Sequence, residues 1–318
     1  MDAAAFATKI RRAFGHCSLA DWPTPLDPAP ALARAAGLDA LWLKREDRAG
    51  GNKVRGLEFL LAGARPDAVF VTVGGTGSSH CLATAVHARK LGHRIVLAQF
   101  PQPDTEACRA VAAATTRAAD RVVRSATRLG LPLAIVRAWL AARRFGTGGR
   151  APHWIPGGGA HPRAVLGHLL ATLELATQLE APPDAIVVPL GTGGTAAGIA
   201  LGVACLEWPT RVVAVRVAPR LVANRWRTLR LARHAAEMLD ARDPQFRVPR
   251  SKVRVEVVDE LGDGYGHPTA AGEGARALAA EHGVRLDPTY GAKAFVSLLK
   301  LAPQQVHRVV FWHTFAWP

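Results

Sequence analysis

The chain reads as an α/β protein of two interleaved lobes, each built on a mainly parallel sheet flanked by helices. Two stretches carry that reading. Residues 68–100 run strand, glycine loop, helix, strand: an apolar strand at 68–73, then Gly74-Gly75-Thr76-Gly77-Ser78-Ser79-His80, a helix over 81–91 stopped by Gly92, and a second strand to Phe100. Residues 185–217 repeat the order, with Gly191-Thr192-Gly193-Gly194-Thr195-Ala196-Ala197-Gly198 between a buried strand at 185–190 and a helix to Leu206. A strand that returns through a helix to a second strand runs parallel to the first. No linker of low complexity and no repeat of fixed period divides the chain, so the lobes should interleave rather than follow one another.

The other elements follow in order. A strand at 40–44 leads to Gly50-Gly51-Asn52-Lys53 and a helix whose stripe is Leu57, Leu60 and Leu61, with Asn52 as its expected N-cap. Helices are expected at 106–119, 131–144 and 164–179, and strands at 121–123 and 153–156, with an aperiodic loop at 146–149. Further helices are expected at 219–239 and 269–282 and another opening near 291, with strands at 252–258 and 306–312.

At 318 residues and 49% hydrophobic content the chain can bury a large core. No stretch reaches the roughly 20 apolar residues of a membrane span, and residues 1–14 lack the apolar run of a secretory signal. Cys17, Cys81, Cys108 and Cys205 are too widely spaced for a disulfide framework or a zinc ribbon. A reducing cytoplasm is the expected setting. The net charge of +15 raises nucleic acid as a partner. Its arginines are scattered, however, and the one cluster, Arg225, Arg227, Arg230 and Arg233, has the spacing of a solvated helix face. No nucleic-acid partner is expected.

The chemistry concentrates at helix starts. Lys53 falls in a first helical turn, where free N–H groups and the positive end of the dipole disfavour its charge. A neutral amine there can form a Schiff base with an aldehyde cofactor, although the turn taken alone fits an ordinary exposed helix lysine better. Ser78 and Ser79 sit where a glycine loop enters a helix, a place that caps the helix and offers N–H donors to an anion. His80 beside Cys81 has no partners at ligand spacing, and no metal site is expected. The loop at 191–198 brings two hydroxyls and several amides to a helix N-terminus, as a phosphate requires. The strand that follows supplies no acidic residue for a ribose diol and no Gly-Lys-Ser/Thr is present, so a monophosphate cofactor fits better than a dinucleotide or a nucleoside triphosphate. The only two tyrosines, Tyr265 and Tyr290, both lie in loops that open helices. The last strand ends in His313-Thr314, at the edge where open α/β sheets bind ligands.

Taken together, Lys44-Arg45-Glu46-Asp47, Gly50-Gly51-Asn52-Lys53, the 74–80 loop, Gly191-Thr192-Gly193-Gly194-Thr195, Tyr265-Gly266, Leu286-Asp287-Pro288-Thr289-Tyr290 with Lys293, and Phe311-Trp312-His313-Thr314 resemble the fold-type II pyridoxal-phosphate enzymes. The resemblance is to their 1-aminocyclopropane-1-carboxylate deaminase and D-cysteine desulfhydrase branch, in the same order and nearly end to end. It implies a tryptophan synthase β-like fold, with a large cofactor domain from 1–54 and 166–318 and a small inserted α/β domain at 55–165. It implies pyridoxal 5'-phosphate as cofactor, a small amino acid as substrate, and a homodimer. Lys53 corresponds to the Schiff-base lysine and Ser78 to a serine near the substrate. Thr192, Gly193, Gly194 and Thr195 correspond to the phosphate cup, and Asn52, Ser79 and His80 to further cofactor-binding positions. Tyr290 corresponds to the tyrosine over the substrate, Tyr265 to a second one, and Thr314 to the position by the pyridine nitrogen.

Four departures stand out. Ser79 replaces a usual asparagine, His80 an often-found glutamine, Gly291 the acidic residue of the deaminase, and Phe315-Ala316 a glycine pair. Loss of the acid at 291 favours D-cysteine-type α,β-elimination over ring opening. Deamination of the cyclopropane, racemisation and β-replacement are the alternatives on this scaffold, and a non-catalytic polyanion-binding protein is the alternative outside it.

Overall fold

The computed structural model describes residues 2–146 and 150–315. Most of the expected 146–149 loop, together with Met1 and Ala316, lies outside the described residues. In chain order the elements are α1 (Ala3–Phe14), β1 (Leu26–Pro28), α2 (Pro30–Ala35), β2 (Ala40–Arg45), α3 (Lys53–Leu60), β3 (Val69–Gly75), α4 (Ser79–Lys90), β4 (Arg94–Phe100), α5 (Glu106–Ala118), β5 (Arg121–Arg124) and α6 (Leu131–Phe145). They continue as β6 (His153–Ile155), α7 (Pro162–Ala176), β7 (Ala185–Leu190), α8 (Gly194–Cys205), β8 (Arg211–Arg216), α9 (Arg225–Arg242), β9 (Glu256–Asp259), α10 (Ala270–Glu281), α11 (Gly291–Leu299) and β10 (Arg308–His313).

Two sheets result. The first has the order β1-β2-β10-β7-β8-β9 and the second β5-β4-β3-β6. Only the β1–β2 pair is antiparallel. Strand β7 is buried at every residue, as a central parallel strand covered on both faces must be. Its Pro189 is tolerated because β10 pairs with β7 only as far as Val187, leaving β8 alone beside the residue that lacks an N–H.

Helices α3, α7 and α8 pack against one another at backbone distance. A Cβ on Gly167 would fall 1.9 Å from the Arg55 carbonyl oxygen, and one on Gly198 would fall 2.3 Å from the His168 Cβ. No other residue fits at either contact, and the result is that the N-termini of α3 and α8 meet.

Behind that junction lies a buried ionic cluster. Arg55 donates to Glu174 at 2.7 Å and to Glu46 at 2.8 Å, Lys44 pairs with Glu174, and the Arg55 guanidinium lies 3.7 Å above the Trp22 ring. Burial disfavours the Glu174 charge, yet the Arg55 and Lys44 contacts outweigh it and hold the carboxyl below its usual range.

Several expected boundaries move, each for a local reason. The helix expected at 219–239 starts at Arg225, because the Asn224 side chain accepts from the Arg227 N–H at 2.9 Å and caps it there. The strand expected at 252–258 is β9 at Glu256–Asp259, since Arg250–Lys252 form a single 3-10 turn. Helix α7 begins at Pro162, with the His161 ring accepting from the Arg163 N–H, and ends at Ala176 rather than 179. The sequence reading passed over α1, β1 and α2. In α1, Asp2 caps the helix and Phe6 and Ile10 join the core of α7, α8 and α9. Arg225, Arg227, Arg230 and Arg233 are all exposed on α9, as their spacing implied. Among the described residues no helix is long and apolar enough to cross a membrane.

Candidate active site

Lys53 is the first residue of α3, and its Nζ donates to the Gly158 carbonyl at 3.3 Å. Its pKa is lowered from 10.5 to about 8, the direction expected from sequence, and burial of the amine is the cause. Asn52 does precede the helix, but its side chain makes no cap. Its Nδ2 instead donates to Thr195 Oγ1 at 2.7 Å, so the expected cap is a bridge to α8.

The opposite wall is the start of α8. Gly193 takes φ +93 with Thr228 Oγ1 2.9 Å from where a Cβ would stand, so glycine alone fits the turn. The first N–H groups of α8 have no carbonyl inside the helix to bind, and they open on a recess lined also by Asn52, Lys53, Ser79, Thr192, Tyr290 and Thr314. His168, which the sequence reading did not single out, lies 3.5 Å from Thr195 Oγ1 through its Nε2. Burial keeps its pKa well below the usual value, so it is a neutral partner behind the hydroxyl. The only signal for it was one polar ring inside the apolar run of α7.

At the start of α4 the Ser78 Oγ accepts from the Cys81 N–H at 3.3 Å, which makes Ser78 the N-cap. His80 Nε2 lies 2.9 Å from Thr72 Oγ1, and that hydroxyl donates onward to the Ile155 carbonyl at 2.8 Å. Nε2 must therefore carry the ring proton, and the buried Nδ1 is left without a partner among the described residues. Burial, then the Lys53 charge, push the His80 pKa down to about 3, so the ring is neutral: Nε2–H donates to Thr72 and Nδ1 can only accept. Burial raises the Cys81 thiol to about 12, which rules out a thiolate nucleophile there.

Tyr265 and Tyr290 share a hydroxyl–hydroxyl hydrogen bond, with ring centroids 6.0 Å apart. Burial raises Tyr290 to about 12, against hydrogen bonds to the Tyr265 and Ser79 side chains. Asp287 fixes Tyr290 by accepting from the N–H groups of Thr289, Tyr290 and Gly291 at 3.0, 2.7 and 2.8 Å. Lys293 Nζ holds the Tyr265 loop through the carbonyls of Leu261 and Gly264. Thr314 is buried, and its carbonyl accepts from the Asn52 N–H at 2.9 Å.

All the expected site residues thus meet. Asn52, Ser79, Gly193, Gly194, Thr195 and Thr314 line the recess, Ser78, His80 and Tyr265 line the adjoining cleft of about 430 Å³, and Lys53, Thr192 and Tyr290 line both. The parts fit pyridoxal phosphate: a helix start with free N–H groups, an amine of lowered pKa within the same recess and a neutral hydroxyl at Thr314. These are the features of an α/β enzyme that holds a phosphorylated aldehyde cofactor in a cleft.

The comparisons agree. The family model described as pyridoxal-phosphate dependent enzyme matches residues 17–314. A putative 1-aminocyclopropane-1-carboxylate deaminase of Pyrococcus horikoshii is 33% identical, over 95% of this chain and 91% of that protein. The nocardicin C-9' epimerase of Nocardia uniformis is 35% identical over 92% and 90%, and a D-cysteine desulfhydrase of Klebsiella pneumoniae 28% over 95% and 94%. The crystal structure of an ACC deaminase homologue superposes with a TM-score of 0.83 at 30% identity, over 99% of this chain and 94% of that one. The chain therefore belongs to the fold-type II pyridoxal-phosphate dependent enzymes, in their 1-aminocyclopropane-1-carboxylate deaminase and D-cysteine desulfhydrase branch.

Proposed function

We propose that this enzyme is a lyase that eliminates a β-substituent from an amino acid, with D-cysteine-type α,β-elimination as the leading reaction. One observation carries the reading: a lysine of depressed pKa and a half-buried tyrosine face one cleft, beside a helix start whose N–H groups are free to bind an anion. Bound pyridoxal phosphate would supply an electron sink for the charge left at the substrate Cα. Lys53 holds the cofactor through its amine and, once released, carries the Cα proton. Tyr290 holds a second proton, and Ser78 with the N–H groups of the α4 start binds the substrate carboxylate. Thr192, Gly193, Gly194 and Thr195, with Asn52 behind them, hold the phosphate. Thr314, a neutral hydroxyl, would leave the pyridine nitrogen unprotonated, and Ser79 and His80, which line the recess and the cleft, would help to hold the cofactor.

Gly291 supports elimination over ring opening, because no carboxylate stands next to Tyr290 on its helix. The test is a panel of D- and L-cysteine, D-serine and 1-aminocyclopropane-1-carboxylate scored for pyruvate, 2-oxobutanoate and ammonia. Pyruvate from D-cysteine is expected, and rapid release of 2-oxobutanoate from the cyclopropane would overturn the preference. A second reading, epimerisation, is favoured by the 35% identity to an epimerase together with two proton carriers, Lys53 and Tyr290, on one cleft. Exchange of the Cα proton in deuterated water without keto-acid release would select it.

The proposed division of the chain, 1–54 with 166–318 and 55–165, is supported by the strands: every strand of the four-stranded sheet falls inside 55–165, and every strand of the six-stranded sheet outside it. A cytoplasmic homodimer completes the proposal, and sedimentation of the purified protein tests its oligomeric part.

A further inference from the structure

The cleft is far larger than cysteine requires. Its volume of about 430 Å³ lies in the range of about 300–1,000 Å³ that takes drug-sized ligands. A thiol-sized substituent stays among Lys53, Ser78 and Tyr290. Beyond them Phe100, Leu131, Pro219 and Val222 form an apolar outer wall with nothing to hold in that case. Among the described residues no acidic side chain lines the cleft, whereas two exposed arginines, Arg128 and Arg227, do.

Those arginines come from opposite sides of the chain's two-sheet plan. Arg128 precedes α6 in the small-sheet region, its guanidinium 5.9 Å from the Phe100 ring centroid. Arg227 lies in the first turn of α9. Neither forms an ion pair among the described residues, although Arg216 and Arg220 nearby are both paired with Asp259. A cation in a first helical turn opposes the dipole, so Arg227 is costly where it stands unless an anion joins it. Exposed apolar side chains follow next to the cleft residues in the chain: Leu129, after Arg128, is 93% exposed, and Leu221, before Val222, 83%. A largely apolar cleft lined by two arginines without ion-pair partners suits a ligand with an apolar body and a terminal oxyanion, since arginine binds carboxylate and phosphate in bidentate fashion.

We infer that the natural substrate is an amino acid with an extended side chain, whose apolar body fills the Phe100 and Val222 wall and whose terminal anion pairs with Arg128 and Arg227. This rests on the pyridoxal-phosphate reading above and adds the substrate class. The reacting amino and carboxyl groups sit at the inner end, and the outer groups set specificity without touching the reacting atoms.

The test uses the holoenzyme and both enantiomers of cysteine, S-benzylcysteine and S-(para-carboxybenzyl)cysteine. Turnover is followed by keto-acid release and by Cα proton exchange, and binding by calorimetry. The carboxybenzyl compound of one enantiomer should exceed the benzyl compound in kcat/KM and in affinity by about tenfold, the yield of one charge-assisted contact. In the Arg128→Gln/Arg227→Gln double variant that gap should close through loss of the carboxybenzyl compound. Equal handling of the two compounds by the wild type, a gap that survives in the double variant, or a preference for cysteine over both would overturn the inference. The two claims fail separately. Cysteine turnover without carboxybenzyl selectivity removes this inference alone, whereas carboxybenzyl-selective binding without turnover or proton exchange removes the catalytic reading alone.

Discussion

Asn52 Nδ2 donates to Thr195 Oγ1 at 2.7 Å, and this one bond ties the residue before Lys53, the proposed cofactor lysine, to the helix start that would hold the phosphate. Asn52→Ala should therefore fold normally but bind pyridoxal phosphate about fivefold more weakly, the effect of one neutral hydrogen bond. Titration of the apoprotein by cofactor absorbance reads this directly, and unchanged affinity would show that the bond does not position the cup.

Lys53 gives a pH dependence with a definite sign. With its pKa lowered from 10.5 to about 8, the neutral amine becomes abundant earlier than in an ordinary lysine. The rate of covalent cofactor capture by the apoprotein should rise about tenfold per pH unit up to the folded pKa and then level off. A rate still climbing through pH 10 would contradict the shift. The same displacement costs the apoprotein stability at neutral pH, and that cost relaxes as pH rises from about 8 toward 10.5.

Those two residues also show how far the sequence was legible. Asn52 and Lys53 were found from a glycine turn followed by a helical stripe, and both stand where that reading put them. What each one does was not visible, because the Thr195 bond and the burial of the amine come from the contact of α3 with α7 and α8 across more than a hundred residues of chain. His168 and the Arg55–Glu174 cluster were hidden for the same reason. The parallel sheets were legible because strand, glycine loop and helix repeat in order, whereas β1 and α2 are too short to show a period. Arg128 and Arg227 were invisible as a pair, since only the fold brings them to one cleft.

The ionic cluster makes a stability prediction. Glu174→Gln leaves Arg55 and Lys44 buried with one carboxylate fewer, and breaking a buried pair in this way costs about 3–5 kcal/mol. Because the folded pKa of Glu174 is depressed, its contribution is present above the unfolded value of 4.5 and is lost as pH falls below it. Denaturant melts at neutral and acid pH should show a large gap between wild type and variant that narrows on acidification. A gap independent of pH would mean that packing, not charge, is what the variant loses.

In the proposed reading Gly291 is what argues against ring opening. A Cβ there would stand 3.0 Å from Asp287 Oδ2, an oxygen already fixed by the Gly291 N–H at 2.8 Å. Gly291→Glu should disturb the turn that fixes Tyr290, lowering kcat on D-cysteine without creating 2-oxobutanoate from the cyclopropane. Steady-state kinetics on both substrates check it, and a gain of ring opening at undiminished elimination would refute the structural role of this glycine.

The central claim is that Lys53 holds the cofactor, and the described residues offer two other buried lysines as controls, Lys44 in the ionic cluster and Lys293 under the Tyr265 loop. Borohydride reduction of the pyridoxal-phosphate-loaded protein, followed by peptide mass spectrometry, tests it most directly. A single phosphopyridoxyl adduct on Lys53 is the predicted result. A protein that takes up no cofactor, or an adduct on Lys44 or Lys293 in its place, would contradict it.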